Sequence, residues 1–93
     1  MDISIDYDNT YTKDPEMWLS IISLIQLRGH NVYCVTFRHE HECKDIDQRL
    51  IDLCNGKLIA TGRKAKFDYT YNILGIDFDI WIDDDPCTIT GVQ

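Results

Sequence analysis

The chain predicts an α/β fold, a three-layer sandwich around a small, mostly parallel sheet. Short runs rich in β-branched residues alternate with single helical segments at least three times, the pattern of βαβ units. The helical segments repeat their apolar residues at intervals of three and four, which gives each one face to bury. With 93 residues there is room for one core, so residues 1–93 are expected to form a single domain. A hydrophobic content of 44% with 11% aromatics supplies that core and argues against disorder.

The elements follow in order. Asp2–Ile5 reads as a short strand, its isoleucines alternating until Asp6. A polar loop, Tyr7 to Lys13, leads to Asp14-Pro15-Glu16, where Asp caps a helix, Pro takes its first position and Glu faces its positive end. Met17, Trp18, Ile21, Ile22 and Ile25 carry the helical repeat, and Gly29 closes it in a left-handed conformation. Asn31–Thr36 is apolar enough for a strand buried on both faces. Lys44–Cys54 returns to helical spacing and Asn55-Gly56 stops it. Lys57–Thr61 is a third strand, and a third helix runs from about Lys64 to Leu74, with Gly75 as its stop. Phe78–Ile82 is the fourth strand, and Thr88–Val92 the candidate for a last edge strand.

Composition excludes several functions. Nine Lys and Arg against sixteen Asp and Glu give a net charge of −7, which repels phosphate backbones and argues against broad nucleic-acid binding. No apolar run approaches the ~18 residues of a membrane span. The start, Met1-Asp2-Ile3-Ser4-Ile5, lacks a basic segment and a signal-type apolar core, so a cytoplasmic protein without membrane contact is expected. Cys34, Cys43, Cys54 and Cys87 contain no CxxC pair and read as thiols in a reducing compartment. Alternation along His39-Glu40-His41-Glu42-Cys43 would put His39, His41 and Cys43 on one strand face, from which they and Cys54 would form a zinc tetrahedron. The competing reading, a charged loop leading into a helix, is preferred, because short His/Cys matches without a CxxC core arise easily by accident.

In open, Rossmann-like sheets, ligands bind at the carboxyl ends of the strands. There this layout puts Asp6-Tyr7-Asp8-Asn9-Thr10, Thr36-Phe37-Arg38, Thr61-Gly62-Arg63 and Asp83-Asp84-Asp85. Carboxylates from two strands crowd one edge, and their repulsion grows as water is excluded. Oxygen ligands without a nearby His or Cys suit a hard cation, Mg²⁺ first. A solvated acidic rim accounts for Asp77 and Asp79, which alternate outward. It does not account for Asp6 and Asp8 sharing an edge with Asp83.

Asp6-Tyr7-Asp8-Asn9-Thr10 after an apolar strand resembles motif I (DxDxT) of the haloacid dehalogenase-like superfamily. Thr36 resembles motif II, a lysine opening the third helix motif III, and Asp83-Asp84 motif IV. The four stand in the family's order and cover most of the chain, which is similar to short members often encoded by phages; the compartment would then be the host cytoplasm. The resemblance implies a Mg²⁺-dependent phosphatase. Asp6 would be the nucleophile that forms an aspartyl-phosphate. Asp8 would be the general acid and then the base. The Asp6 side chain, the Asp8 carbonyl, Asp83 and Asp84 would hold the metal. Thr36 would bind a phosphoryl oxygen, and Lys66, with Lys64 as the alternative, would balance the developing charge.

Asn9 stands where the family often has Gly, and Asn tolerates positive φ better than most residues. The gaps between motifs are too short for a cap domain, so the substrate is large, such as a phosphorylated nucleic-acid end or a protein, or a second copy in a homodimer covers the site. Arg38 and Arg63 at the same edge are candidates for a second phosphate or a sugar, or else are surface arginines. Two other functions compete: a non-enzymatic acidic interaction protein, and a degenerate member of the superfamily that binds phosphorylated ligands without turnover.

Overall fold

Asp2–Ile5 (β1), Asn31–Thr36 (β2), Leu58–Ala60 (β3) and Ile80–Ile82 (β4) form one sheet of order β3-β2-β1-β4 in the computed structural model, which describes residues 1–92. Every pairing is parallel, with Ile5 opposite both Cys34 and Ile82, and Thr36 opposite Ala60. The ladder runs one step further: the Asp6 N–H donates to the Ile82 carbonyl and the Thr61 N–H to the Thr36 carbonyl, each at 2.9 Å. The strands therefore end along a common edge, and the residues just beyond them become neighbours.

The first helix, α1 (Pro15–Leu27), begins as its sequence dictates, with the Asp14 carboxylate accepting the Met17 N–H. Gly29, at φ 87°, lets the chain leave it. Ile22 of α1 and Leu50 of α2 (Gln48–Leu53) pack with Ile3, Ile5, Val32 and Cys34 in the main core. The alternate residues Ser4 and Val35 are also buried, and Tyr33 meets Phe78 edge-on at 5.2 Å. With side chains covering both faces, the central strands carry near-continuous apolar runs rather than a polar alternation. No helix of the described residues is long and apolar enough to cross a membrane.

Several boundaries differ from the sequence expectation. The second helix begins at Gln48, not Lys44, because the Asp47 carboxylate accepts the Arg49 N–H and caps it there, after a short 3-10 turn at Glu40–Glu42. The third is regular only over Lys66–Asp68 (α3) and continues as a π turn, Tyr69–Ile73. The third and fourth strands are shorter, three residues each. The expected edge strand at Thr88–Val92 is instead a helical turn, Cys87–Thr90 (α4), closed by Gly91 at φ 74°. Local bonds outweigh the β-branched propensity: the Asp85 carboxylate accepts the Cys87 N–H, and the Thr88 hydroxyl donates to the Asp85 carbonyl. Asp79 does more than keep the chain solvated: its carboxylate accepts the Asp2 N–H at 2.8 Å, tying β1 to the start of β4.

The loop after β1 is polar in composition yet held by two buried tyrosines. Tyr7 and Tyr11 stack at 5.4 Å. The Tyr11 hydroxyl donates to Asp47 at 2.7 Å, and the Asp47 N–H donates to the Tyr7 hydroxyl at 3.0 Å. The Arg49 guanidinium, hydrogen-bonded to the same carboxylate, holds Asp47 down at about 2, below the usual carboxylate range. A folded-state value below the unfolded one of ~3.9 stabilises the fold above that pH and loses this contribution as pH falls towards 2. Thermal melts of wild type and Asp47→Asn are therefore expected to differ at pH 6 and to converge by about pH 2. A difference independent of pH would contradict the ion-pair account.

Candidate functional site

Parallel register brings the ends of β1 and β4 together, and α3 supplies the cation between them. Lys66 opens α3 with its side chain turned inward, 1% exposed. Its Nζ donates to Asp6 Oδ1 at 2.8 Å and to Asp83 Oδ2 at 2.6 Å. The Lys66 carbonyl in turn accepts the hydroxyl of buried Thr70, which fixes the first turn of the helix. Lys64, two residues earlier, lies over the Tyr69 ring at 5.8 Å, away from these carboxylates.

Thr10 knits the other side of the site. Its hydroxyl lies 3.2 Å from Asp6 Oδ2 and 3.1 Å from Asp84 Oδ1, with one proton for the two, and it accepts the Asp84 N–H. Asn9, at φ 61°, makes the turn that precedes it. Burial pushes the Asp6 carboxyl up to about 6, against the hydrogen bond and charge of Lys66. At neutral pH it is therefore still mainly ionised.

Oxygen atoms of Asp6, Asp83 and Asp84 lie within 4.8 Å of one another. Asp6 is buried, Asp83 half-buried and Asp84 exposed, so the cluster is anchored inside and open on one side. Three carboxylates against one ammonium leave two negative charges, which a divalent cation would balance. An all-oxygen donor set with an open side fits a hard cation that keeps part of its water shell. His39, His41, Cys43 and Cys54 do not converge in this way among the described residues. His39 stacks on His41, and the Cys43 thiol points to the His39 carbonyl.

Asp8 is held differently. Its carboxylate takes a two-point bond from Arg38, Nε to Oδ2 at 2.9 Å and Nη2 to Oδ1 at 2.7 Å. That bond holds Asp8 below the usual carboxylate range. Arg38 is further engaged by Asp45 and the Glu42 carbonyl, and sits over the Tyr7 ring at 5.2 Å. Arg63 donates to the Phe37 carbonyl and to Glu42. Neither arginine lines the carboxylate cleft. That cleft, about 150 Å³, has Asp6, Asp8, Lys66 and Asp83 in its walls, together with Phe37 and Thr88. Thr36 is fully buried at the end of β2, where its hydroxyl oxygen accepts the Arg38 N–H; Phe37, the next residue, forms the wall instead.

Sequence reasoning missed Phe37 and Thr88 as wall residues and gave Thr10 no role beyond its motif position. Phe37 was placed at the edge with its strand but given no role, and Thr88 was expected in a strand rather than in the helical turn that brings it to the cleft. Compared with known proteins, the chain matches no protein-family model, no curated protein and no solved structure.

Proposed function

We propose that the chain is a Mg²⁺-dependent phosphatase of the haloacid dehalogenase-like type, a three-layer sandwich without a cap domain, working through an aspartyl-phosphate on Asp6. The observation that carries this reading is the buried Lys66 ammonium clamped between Asp6 and Asp83 at the ends of adjacent parallel strands. Burying a charged trio costs several kcal/mol per ion unless the pairing is close to ideal, so a purely structural site would be better served by apolar residues. The short connections from β1 to α1 and from β3 to α3 support a site without a cap.

Asp6, Asp83 and Asp84, with the Asp8 main-chain carbonyl, would hold Mg²⁺, which supplies positive charge against the repulsion between carboxylate and phosphate. Lys66 holds one Asp6 oxygen and the Thr10 hydroxyl lies beside the other, so the carboxylate is fixed for attack on phosphorus. Attack forms the Asp6–phosphorus bond and breaks the bond from phosphorus to the leaving oxygen. Asp8 delivers a proton to that oxygen, then removes one from the water that attacks the aspartyl-phosphate, releasing inorganic phosphate and restoring Asp6. Acid catalysis requires Asp8 to leave Arg38, since the paired carboxylate is ionised. Arg38 thus favours the base form, and an arriving substrate has to compete for it.

The test is phosphate release from sugar, nucleoside and aryl phosphates with Mg²⁺. Release is expected to stop with a chelator and to fall ~10²–10⁴-fold in Asp8→Asn. No release from any ester, or release unaffected by chelation, would overturn the reading. An acidic interaction protein is the weaker alternative, because its carboxylates would be spread over a face rather than gathered on one buried lysine.

A further inference from the structure

The carboxylate cleft does not end at its own walls. A second cavity of about 350 Å³ adjoins it, sharing Phe37, Asp85 and Thr88 and extending to Arg63, Cys87 and Gly91. The small cleft has the scale of a phosphoryl group and its metal; the larger one lies where the remainder of an ester would project. Its chemistry is uneven along its length. At the junction stand the Asp85 carboxylate and the Thr88 hydroxyl, which suit hydroxyl groups. The Phe37 ring lines both cavities, and further out lies the Arg63 guanidinium, 5.9 Å from that ring's centre. Arg63 spends part of its donor fork on the Phe37 carbonyl and Glu42 and is half exposed, leaving N–H groups for a ligand.

We infer that this cavity is the leaving-group subsite for a nucleoside. A sugar would lie at the junction against Asp85 and Thr88, the base would stack on Phe37, and Arg63 would bond to the base edge. The inference rests on the phosphatase reading for the phosphate end and goes beyond it in naming the substrate class. A nucleoside offers hydroxyl groups to Asp85 and Thr88 and a planar ring to Phe37, whereas a sugar phosphate offers the ring wall nothing. An aryl phosphate, whose ring joins the phosphate directly, would put carbon against Asp85. Nucleoside phosphates come free or as the end of a polynucleotide. The net charge of −7 opposes a long anionic strand, which favours the free nucleotide.

The experiment compares adenosine 5′-monophosphate, ribose 5-phosphate, an aryl phosphate and a 5′-phosphorylated oligonucleotide in wild type and Phe37→Leu, all with Mg²⁺. Stacking should favour the nucleotide over ribose 5-phosphate by about 10–100-fold in kcat/KM, carried mainly by KM, and Phe37→Leu should bring the ratio towards unity. A second readout needs no turnover. Cys87 is exposed and lines the cavity, so adenosine 5′-monophosphate should slow its alkylation in wild type and less so in Phe37→Leu. Preference for the oligonucleotide would support the subsite and assign it to strand ends. Equal hydrolysis of all esters without protection of Cys87 would overturn the subsite and leave the phosphatase reading standing. Protection without hydrolysis of any ester would support the subsite and overturn the phosphatase; neither would overturn both.

Discussion

Replacing Lys66 with Met is expected to destabilise the fold by about 3–5 kcal/mol, the cost of breaking a buried ion pair from one side. The ammonium is 1% exposed and satisfies two carboxylates at 2.8 and 2.6 Å. Without it Asp6 and Asp83 lie close together with no counter-charge, in a position that water reaches only from the cleft. For a domain of this size the loss corresponds to roughly 12–40 °C in melting temperature. Mg²⁺ should restore part of it, because the cation supplies the missing charge to the same oxygens, whereas a monovalent salt at equal ionic strength should not. Lys64→Met is the control, since that side chain lies over Tyr69 and its loss is expected within about 0.5 kcal/mol. Equal effects of the two variants in urea or thermal unfolding would contradict the assignment of Lys66.

Asp6→Asn is expected to reduce turnover by at least ~10³-fold, the scale seen when a nucleophile is removed, while leaving the fold intact. The amide cannot form the acyl phosphate and contributes no anionic ligand to a cation. Stability should behave in the opposite way to Lys66→Met. Burial holds the Asp6 carboxyl at about 6, above its unfolded value of ~3.9, so the ionised group works against the fold as pH rises from 4 through 6. A neutral amide removes that cost, and Lys66 keeps Asp83. The melting temperature at pH 7 is thus expected at or above that of wild type. Hydrolysis that persists in Asp6→Asn at more than a tenth of the wild-type rate would remove Asp6 from the nucleophile role.

The two variants separate what the sequence made legible from what it did not. β1, β2 and α1 were readable to the residue, because alternating isoleucines, the Asp14-Pro15 start and Gly29 are local signals that the packing reinforces. The segment after β4 was misread because TITGV has strand propensity, whereas the turn there is set by Asp85 capping and by Gly91 at φ 74°. The π turn after α3 has no local signature at all. At the site, Asp6 and Asp83 were visible because both close apolar strands, and a lysine opening the third helix through its motif position, with Lys66 first and Lys64 as the alternative. The bond between Asp8 and Arg38 spans 30 residues. It follows only once β1 and β2 are known to be neighbours, since each residue lies just beyond its strand. For the same reason Arg38 read as either a substrate contact or a surface arginine, while in the folded chain it is already occupied by Asp8 and Asp45.

The central claim is that Asp6 accepts a phosphoryl group beside a divalent cation. The most direct measurement is the melting temperature with Mg²⁺ and beryllium fluoride, which on a carboxylate stands in for the aspartyl-phosphate. At ~100 times its dissociation constant the ligand stabilises by about 2.7 kcal/mol, on the order of 10–20 °C here. The account predicts that rise in wild type, its dependence on Mg²⁺, and its loss in Asp6→Asn. No rise in wild type, or an equal rise in both proteins, would contradict it.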